Sequence, residues 1–379
     1  MKKLSAFICV YLWLIFLCFP TAAQDFQTVR DGIEHAKYTR QMKSADGKPE
    51  NAVFNLLRLD LTKVRLDVVH ALDAAIGLET TSSIALRHGA FAAINAGFFR
   101  LDKSIFAGDS AGVLMIDGKV LSESYNNRIA LGIANKKRKT KVMFDRLNSN
   151  NYFVRGTDET IAISGINRER KENEIILFTP EFNRSTLTND DGFELIIKGR
   201  IVEEIILNKG NASIPPDGFV LSISNSKFQK LSQKRNIVRL VRKLIATETE
   251  KQKFFTKAED IVGGVPQLVK NGKIEITWEQ EKSSKSFVET HHPRTAVAKL
   301  KDGKFLMVTV DGRSAESGGI SLPDLAAFLL ELGATDAMNL DGGGSTTMFL
   351  NSKVVNRPSD KEGERKVSDA ILVTPRKKN

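Results

Sequence analysis

Two aspartates, Asp311 and Asp341, are the residues whose type and setting most suggest chemistry, since each stands at the end of an apolar run. Two carboxyls on one rim are the equipment for glycoside hydrolysis, with one of them acting as nucleophile or base. Asp341 runs directly into Gly342-Gly343-Gly344-Ser345. Residues without a β-carbon let backbone N–H groups approach a ligand closely and form an anion nest, and Ser345 adds a hydroxyl. Arg294 and Arg313 offer guanidinium groups suited to phosphate, and His292, Asn95 and Gly97 stand beside neighbouring apolar runs. Each piece also has an ordinary reading: a flexible glycine turn, an Arg294–Asp311 cross-strand ion pair, surface histidines at 291 and 292. Adjacent histidines do not readily share a metal, because successive strand side chains point to opposite faces. No metal ligand set is complete in the sequence, and a divalent cation at Asp341 stays open.

The elements that must position these residues follow from turns and periodicity. Residues 295–300 and 304–310, joined at Asp302-Gly303, read as a hairpin. A two-residue turn pairs Lys301 with Lys304, which sets Arg294 opposite Asp311 and His292 near Arg313. Ser321 is a good helix N-cap, with Pro323 in the first turn and Asp324 three residues past the cap. Leu322, Leu325, Phe328, Leu329 and Leu332 make one apolar stripe, and Gly333 closes the helix. Residues 337–340 then form a buried strand ending at Asp341. A strand–helix–strand crossover makes its strands parallel, with both aspartates at carboxyl ends, where ligands of such sheets collect. Neighbouring strands would hold the carboxyls near the roughly 5–5.5 Å of retaining glycosidases; one intervening strand would move them to about 10 Å, nearer the inverting range. The sequence leaves that choice open.

Upstream, residues 53–59 and 64–69 read as strands, 81–88 as a short helix, and 90–94 as the buried strand delivering Asn95. Asp117-Gly118 and Asn271-Gly272 are further hairpin turns. Residues 24–51 read as a polar, poorly ordered lead-in, and 167–258 as a charged peripheral lobe of one domain spanning 52–379. The expected class is a mixed, sheet-dominated α/β fold: a central mixed sheet, few helices and the C-terminal hairpin–helix–strand unit.

The chain has 379 residues, 41% hydrophobic and 27% charged, the profile of a soluble globular protein. Its net charge of +11 is spread along the chain, and no nucleic-acid motif accompanies it. Lys2 and Lys3, the apolar stretch 6–19 and Pro20-Thr21-Ala22-Ala23 read as a secretory signal cleaved after Ala23, with an uncleaved anchor as the alternative. The expected location is secreted or periplasmic, with no membrane span after cleavage. Cys9 and Cys18 both fall in this segment, which excludes a disulfide framework, a cysteine nucleophile and a thiolate metal site from the remainder.

Several stretches are familiar in combination. They are Asn95-Ala96-Gly97-Phe98-Phe99, Gly263-Gly264-Val265-Pro266, Arg294-Thr295-Ala296, Asp311-Gly312-Arg313-Ser314 and Ser317-Gly318-Gly319-Ile320. Asn339-Leu340-Asp341-Gly342-Gly343-Gly344-Ser345-Thr346-Thr347-Met348 follows, then Asn356-Arg357-Pro358-Ser359, Glu364-Arg365 and Val367-Ser368-Asp369-Ala370. In this order they resemble the phosphodiester glycosidase family, from about residue 52 to the C-terminus and most specifically over 294–348. The resemblance implies a sheet-dominated α/β domain that hydrolyses a sugar-1-phosphodiester, in bacteria often connected with exopolysaccharide. Animal members are disulfide-bonded, so their outer loops do not carry over. The resulting expectation has Asp341 and Asp311 as catalytic carboxyls. Arg294, Arg313, His292, Asn95, Gly97, Gly342, Gly343, Gly344 and Ser345 bind a carbohydrate or sugar-phosphate, and no cofactor is assigned. A non-catalytic glycan-binding protein of exopolysaccharide assembly and a hydrolase of ordinary glycosides are the alternatives.

Overall fold

A computed structural model describes residues 25–44, 47–156, 159–224 and 238–377. The signal-like segment and both cysteines lie outside the described residues. Among those residues no helix is long and apolar enough to cross a membrane.

The sheet that carries the glycine loop has eight strands, in the order Gln27–Arg30, Ile33–Lys43, Pro49–Leu59, Phe305–Val310, Arg294–Leu300, Ala334–Asn339, Gln267–Lys270 and Lys273–Ile274. Among the described residues, sheets of seven, five and five strands and a two-stranded ladder accompany it. Sheet dominates, as expected, but not as one central mixed sheet. The neighbours are antiparallel, with Gly165–Ile166 beside Ile175–Phe178 the one parallel pair among the described strands. The reason is local: most successive strands are joined by short turns, and a turn-linked pair is necessarily antiparallel.

The polar lead-in also differs from expectation. Gln27–Arg30 and Ile33–Lys43 are strands on the sheet edge, and the second pairs without a break from Ile33↔Leu59 to Lys43↔Pro49. Ile33 and Ala36 are buried while much of the strand faces outward, so a half-covered edge strand looks polar in sequence.

Turn geometry corrects the hairpin register. At Asp117-Gly118 and Asn271-Gly272 both residues have positive φ, and the flanking pairs are Ile116↔Lys119 and Lys270↔Lys273. At Asp302-Gly303 only Gly303 is left-handed, at φ 85°. The Asp302 carboxylate instead accepts the Lys304 N–H at 3.0 Å, and Leu300 N–H donates to Lys304 O at 2.9 Å. The loop therefore has one more residue, and Arg294 pairs with Val310, not Asp311. A slip of one residue reverses the face of every side chain.

Phe305–Val310 is buried on both faces. Phe305 and Met307 enter a core shared with Ile94, Met348 and Ile371 of a five-stranded sheet. Leu306, Val308 and Val310 lie under the helix Leu322–Glu331, packed against Leu325, Phe328 and Leu329. Ser321 caps that helix by accepting the Asp324 N–H. The helix leads from Phe305–Val310 to Ala334–Asn339, and Arg294–Leu300 lies between them, antiparallel to both. The two strands are thus parallel and one strand apart. Much of the stretch 167–258 forms its own five-stranded sheet, but Val238–Ala246 pairs with the long strand Lys139–Arg155 of another sheet.

Candidate active site

Polar residues collect where these layers end. Asn55, Thr309 and Thr295 are cross-strand partners in one row, all fully buried. Thr295 Oγ1 donates to Asn95 Oδ1 at 2.8 Å. The same oxygen accepts the Thr347 N–H at 3.1 Å, and Asn95 Nδ2 donates to the Asp341 carbonyl at 2.6 Å. Asn95 is fully buried, and it ties three segments together; its amide is committed to holding the rim, not to reaching a ligand.

Asp341 is set by the same junction. Its N–H donates to Ala96 O at 2.9 Å, and its carboxylate accepts the Gly342 N–H at 3.0 Å. Burial pushes its pKa up to about 6, partly offset by the Ser345 hydroxyl, that N–H and the Arg365 charge. Asp369 lies behind it, receiving the Gly97 N–H at 2.5 Å and the Ser368 hydroxyl at 2.7 Å. Gly97 thereby serves the rim through its backbone.

The glycines turn out to be packing devices. Gly343 is left-handed at φ 61°, and its N–H donates to Pro293 O at 2.9 Å. A β-carbon on Gly344 would sit 2.2 Å from both the Arg365 guanidinium and the Asp360 carboxylate. Those two side chains form an ion pair at 2.7 Å across the loop. Gly342 and Gly343 N–H groups are therefore already engaged. The hydroxyls of the next threonines are not: Thr346 Oγ1 and Thr347 Oγ1 are buried without a hydrogen-bond partner, as is Thr309 Oγ1. Buried polar atoms are nearly always satisfied, so this cluster marks a place where ligand or water hydrogen bonds belong.

Asp311 closes the other side. Its carboxylate accepts the Arg357 N–H at 3.0 Å and Asn356 Nδ2 at 3.3 Å. Asn356 also donates to Thr346 O at 3.0 Å, which joins Asp311 to the glycine loop. Burial raises the Asp311 pKa against these donors.

The cations divide. Arg294 follows the alternation of Ala296 and Ala298 toward the helix side. Its guanidinium is buried, donating to the carbonyls of Phe287 and Thr290 at 2.7 Å and of Ile320 at 3.2 Å. Burial and the Arg313 charge lower its pKa to about 10. The structure thus does not bring Arg294 to Asp311. Arg313 is exposed and left-handed at φ 58°, a conformation that favours glycine and often marks function. Its guanidinium lies over Gly343, 3.1 Å from where a β-carbon would stand. No acidic side chain pairs with it among the described residues. His292 Nδ1 is buried without a partner. Burial, then the Arg294, Arg313 and His291 charges, lower the His292 pKa, which favours a neutral imidazole. Among the described residues no group of three or more His, Cys, Asp or Glu could hold a metal ion.

Sequence reasoning left four residues out of the site: Asn356, Asp360, Arg365 and Asp369. Three of them stand in the quoted C-terminal motifs, and only the fold shows that this tail returns over the glycine loop.

Two buried carboxyls, an exposed arginine and buried hydroxyls are therefore gathered around the glycine loop. Residues 191–374 match the model for the phosphodiester glycosidase family. The bovine N-acetylglucosamine-1-phosphodiester α-N-acetylglucosaminidase is 38% identical over 109 residues, covering 26% of this chain and 20% of that enzyme. A Bacillus subtilis prophage-derived protein of uncharacterised role is 40% identical over 83 residues, covering 22% of this chain and 13% of its own. These matches therefore span only about a fifth or less of the relatives' length. In fold, a hypothetical protein from Synechocystis superposes with a TM-score of 0.78 at 22% identity, covering 93% of this chain and 63% of that one. The zebrafish N-acetylglucosamine-1-phosphodiester α-N-acetylglucosaminidase catalytic domain gives a TM-score of 0.52 at 17% identity, covering 92% and 86%.

Proposed function

We propose that this chain hydrolyses the bond between a sugar anomeric carbon and a phosphodiester. The observation that carries the reading is the convergence of Asp341 and Asp311, both raised in pKa by burial, with the unpaired Arg313 over the glycine loop. Asp341, at about 6, suits a general base near neutral pH. It takes a proton from water as the water oxygen bonds to the anomeric carbon. The anomeric C–O bond breaks, and its electrons leave on the phosphate oxygen. A phosphate is a good leaving group, so charge stabilisation matters more than protonation. Arg313 and the neutral His292 are the groups assigned to that charge. One strand separates those that deliver Asp311 and Asp341, which spaces their backbones about 10 Å apart and favours inversion over retention. The phosphodiester-cleaving relatives and the family match support this substrate class. A secreted or periplasmic location and an exopolysaccharide-related substrate belong to the same proposal, supported by the signal-like N-terminus. A Burkholderia pseudomallei protein shares the fold at a TM-score of 0.75, with 22% identity and coverage of 88% and 76%.

The test compares an N-acetylglucosamine-1-phosphodiester with p-nitrophenyl glycosides. Sugar release from the phosphodiester is expected, falling by about 10²–10⁴-fold in Asp341→Asn, with a cooperative melting transition showing that the variant folds. A near-normal rate in that variant, or release from the p-nitrophenyl glycosides alone, would overturn the assignment. Release from neither favours a glycan-binding role.

A further inference from the structure

The loop that begins at the catalytic rim ends in the wall of a second cavity. Ala96 O accepts the Asp341 N–H, and Gly97 N–H reaches Asp369. The loop then doubles back, with Ala111 N–H donating to Phe98 O at 2.8 Å and a bridge between Phe99 and Ser110. Its returning limb lines a cavity of about 780 Å³, closed on other sides by Ser122–Arg128 and by the segment from Ser164 to Glu174. That volume is within the range of small-molecule sites.

The charges around it largely cancel in pairs. Arg168 is held between Glu123 at 2.9 Å and Glu174 at 2.8 Å, and Arg100 between Glu169 at 2.6 Å and Asp102 at 2.5 Å. The uncommitted groups are of another kind. Arg128 uses Nε on Glu281 O at 3.4 Å, leaving its terminal nitrogens without a partner among the described residues. The Asp109 carboxyl has no donor among the described residues, and Ser110 Oγ is buried without a partner. Tyr125 is 56% exposed, with the Arg128 guanidinium 5.2 Å from its ring centre. A flat ring with a fork of donors over it, one carboxyl and one hydroxyl together match a sugar ring, which offers a face of C–H bonds and an edge of hydroxyls.

We propose that this cavity is a subsite for neutral saccharide, stacking a sugar on Tyr125 and binding its hydroxyls through Arg128, Asp109 and Ser110. It deepens the catalytic reading, on which it rests for its role, by giving the sugar side of the substrate more than one residue. Burial, reinforced by Glu123, pushes Asp109 up to about 7, so near neutral pH its carboxyl both donates to and accepts from hydroxyls.

The experiment titrates the full chain with maltotriose, cellotriose and triacetylchitotriose by calorimetry, with inorganic phosphate as a control. Saturable binding of at least one trisaccharide is expected. It should weaken about tenfold or more in Tyr125→Ala and in Arg128→Ala, and persist in the presence of phosphate. Melting temperatures of the variants show that they fold. Binding of none of the three, binding indifferent to both truncations, or displacement by phosphate would overturn the subsite. Phosphodiester hydrolysis is followed in parallel. Hydrolysis without trisaccharide binding removes the subsite alone, and binding without hydrolysis removes the catalytic reading alone.

Discussion

Asp341 and Arg313 make the sharpest claims at the scale of single residues. A base with a pKa of about 6 is protonated below that value. The rate constant kcat/KM should therefore fall about tenfold for each pH unit below 6 and level off above it; a flat profile between pH 4.5 and 7 would argue against Asp341 as base. Arg313→Ala should lower kcat/KM for the phosphodiester by about 10–100-fold, because a charge-assisted bond to phosphate is lost. Its exposed side chain makes a stability change unnecessary, so an unchanged melting temperature belongs to the same expectation. These two residues were legible in the sequence as chemistry. Arg294 was legible only as a cation, and its three carbonyl partners come from segments that meet it through folding.

At the scale of elements, the helix Leu322–Glu331 was readable nearly to the residue, since cap, stripe and closing glycine are all local signals. Ser321→Ala should cost about 1 kcal/mol, read as a shift in denaturation midpoint without loss of the catalytic pH profile. Gly264 tests packing instead. A β-carbon there would meet Asn339 O at 2.3 Å and Met338 Cε at 2.9 Å. A backbone oxygen cannot be rotated away, so Gly264→Ala should destabilise by about 1–3 kcal/mol or more and disturb the Ala334–Asn339 strand that leads to Asp341. The hairpin at Asp302-Gly303 was misread by one residue because the same dipeptide serves turns of two lengths. The choice rests on whether Asp302 takes a left-handed φ or caps Lys304 N–H, and both are locally acceptable.

For the whole molecule, buried carboxyls set the pH dependence of stability. Burial pushes Asp109 and Asp260 up to about 7 and Asp341 up to about 6. A raised folded pKa favours the protonated form in the native state. That contribution is complete below the unfolded value near 4 and is lost as pH rises through 6 to 7. Groups pulled the other way act lower: Glu79, whose burial is outweighed by Arg87, Ser83 and the Leu72 N–H, sits at about 2 and loses its contribution only below about 4.5. The melting temperature should therefore rise between pH 8 and pH 5. Asp260 accepts the N–H groups of Val68 and Asp117 at 3.0 and 2.9 Å, so Asp260→Asn should melt lower overall but with a flatter slope across that window. A melting temperature independent of pH from 5 to 8 would contradict the assignment.

The sequence by itself determined which chemistry is available: two aspartates ending apolar runs, a glycine loop, arginines near both, and a capped helix between the strands that carry them. Local signals suffice for that, since propensity, caps and turn residues act within a few positions. Only the tertiary structure decided which groups share a surface. Asn95 meets Thr295 and Asp341 across 200 and 246 residues, and Asn356 returns to hold Asp311 across 45. Register decided the rest: one extra residue in a turn carried Arg294 to the helix side and left Arg313 alone over the loop at Asp341, because side chains alternate faces along a strand.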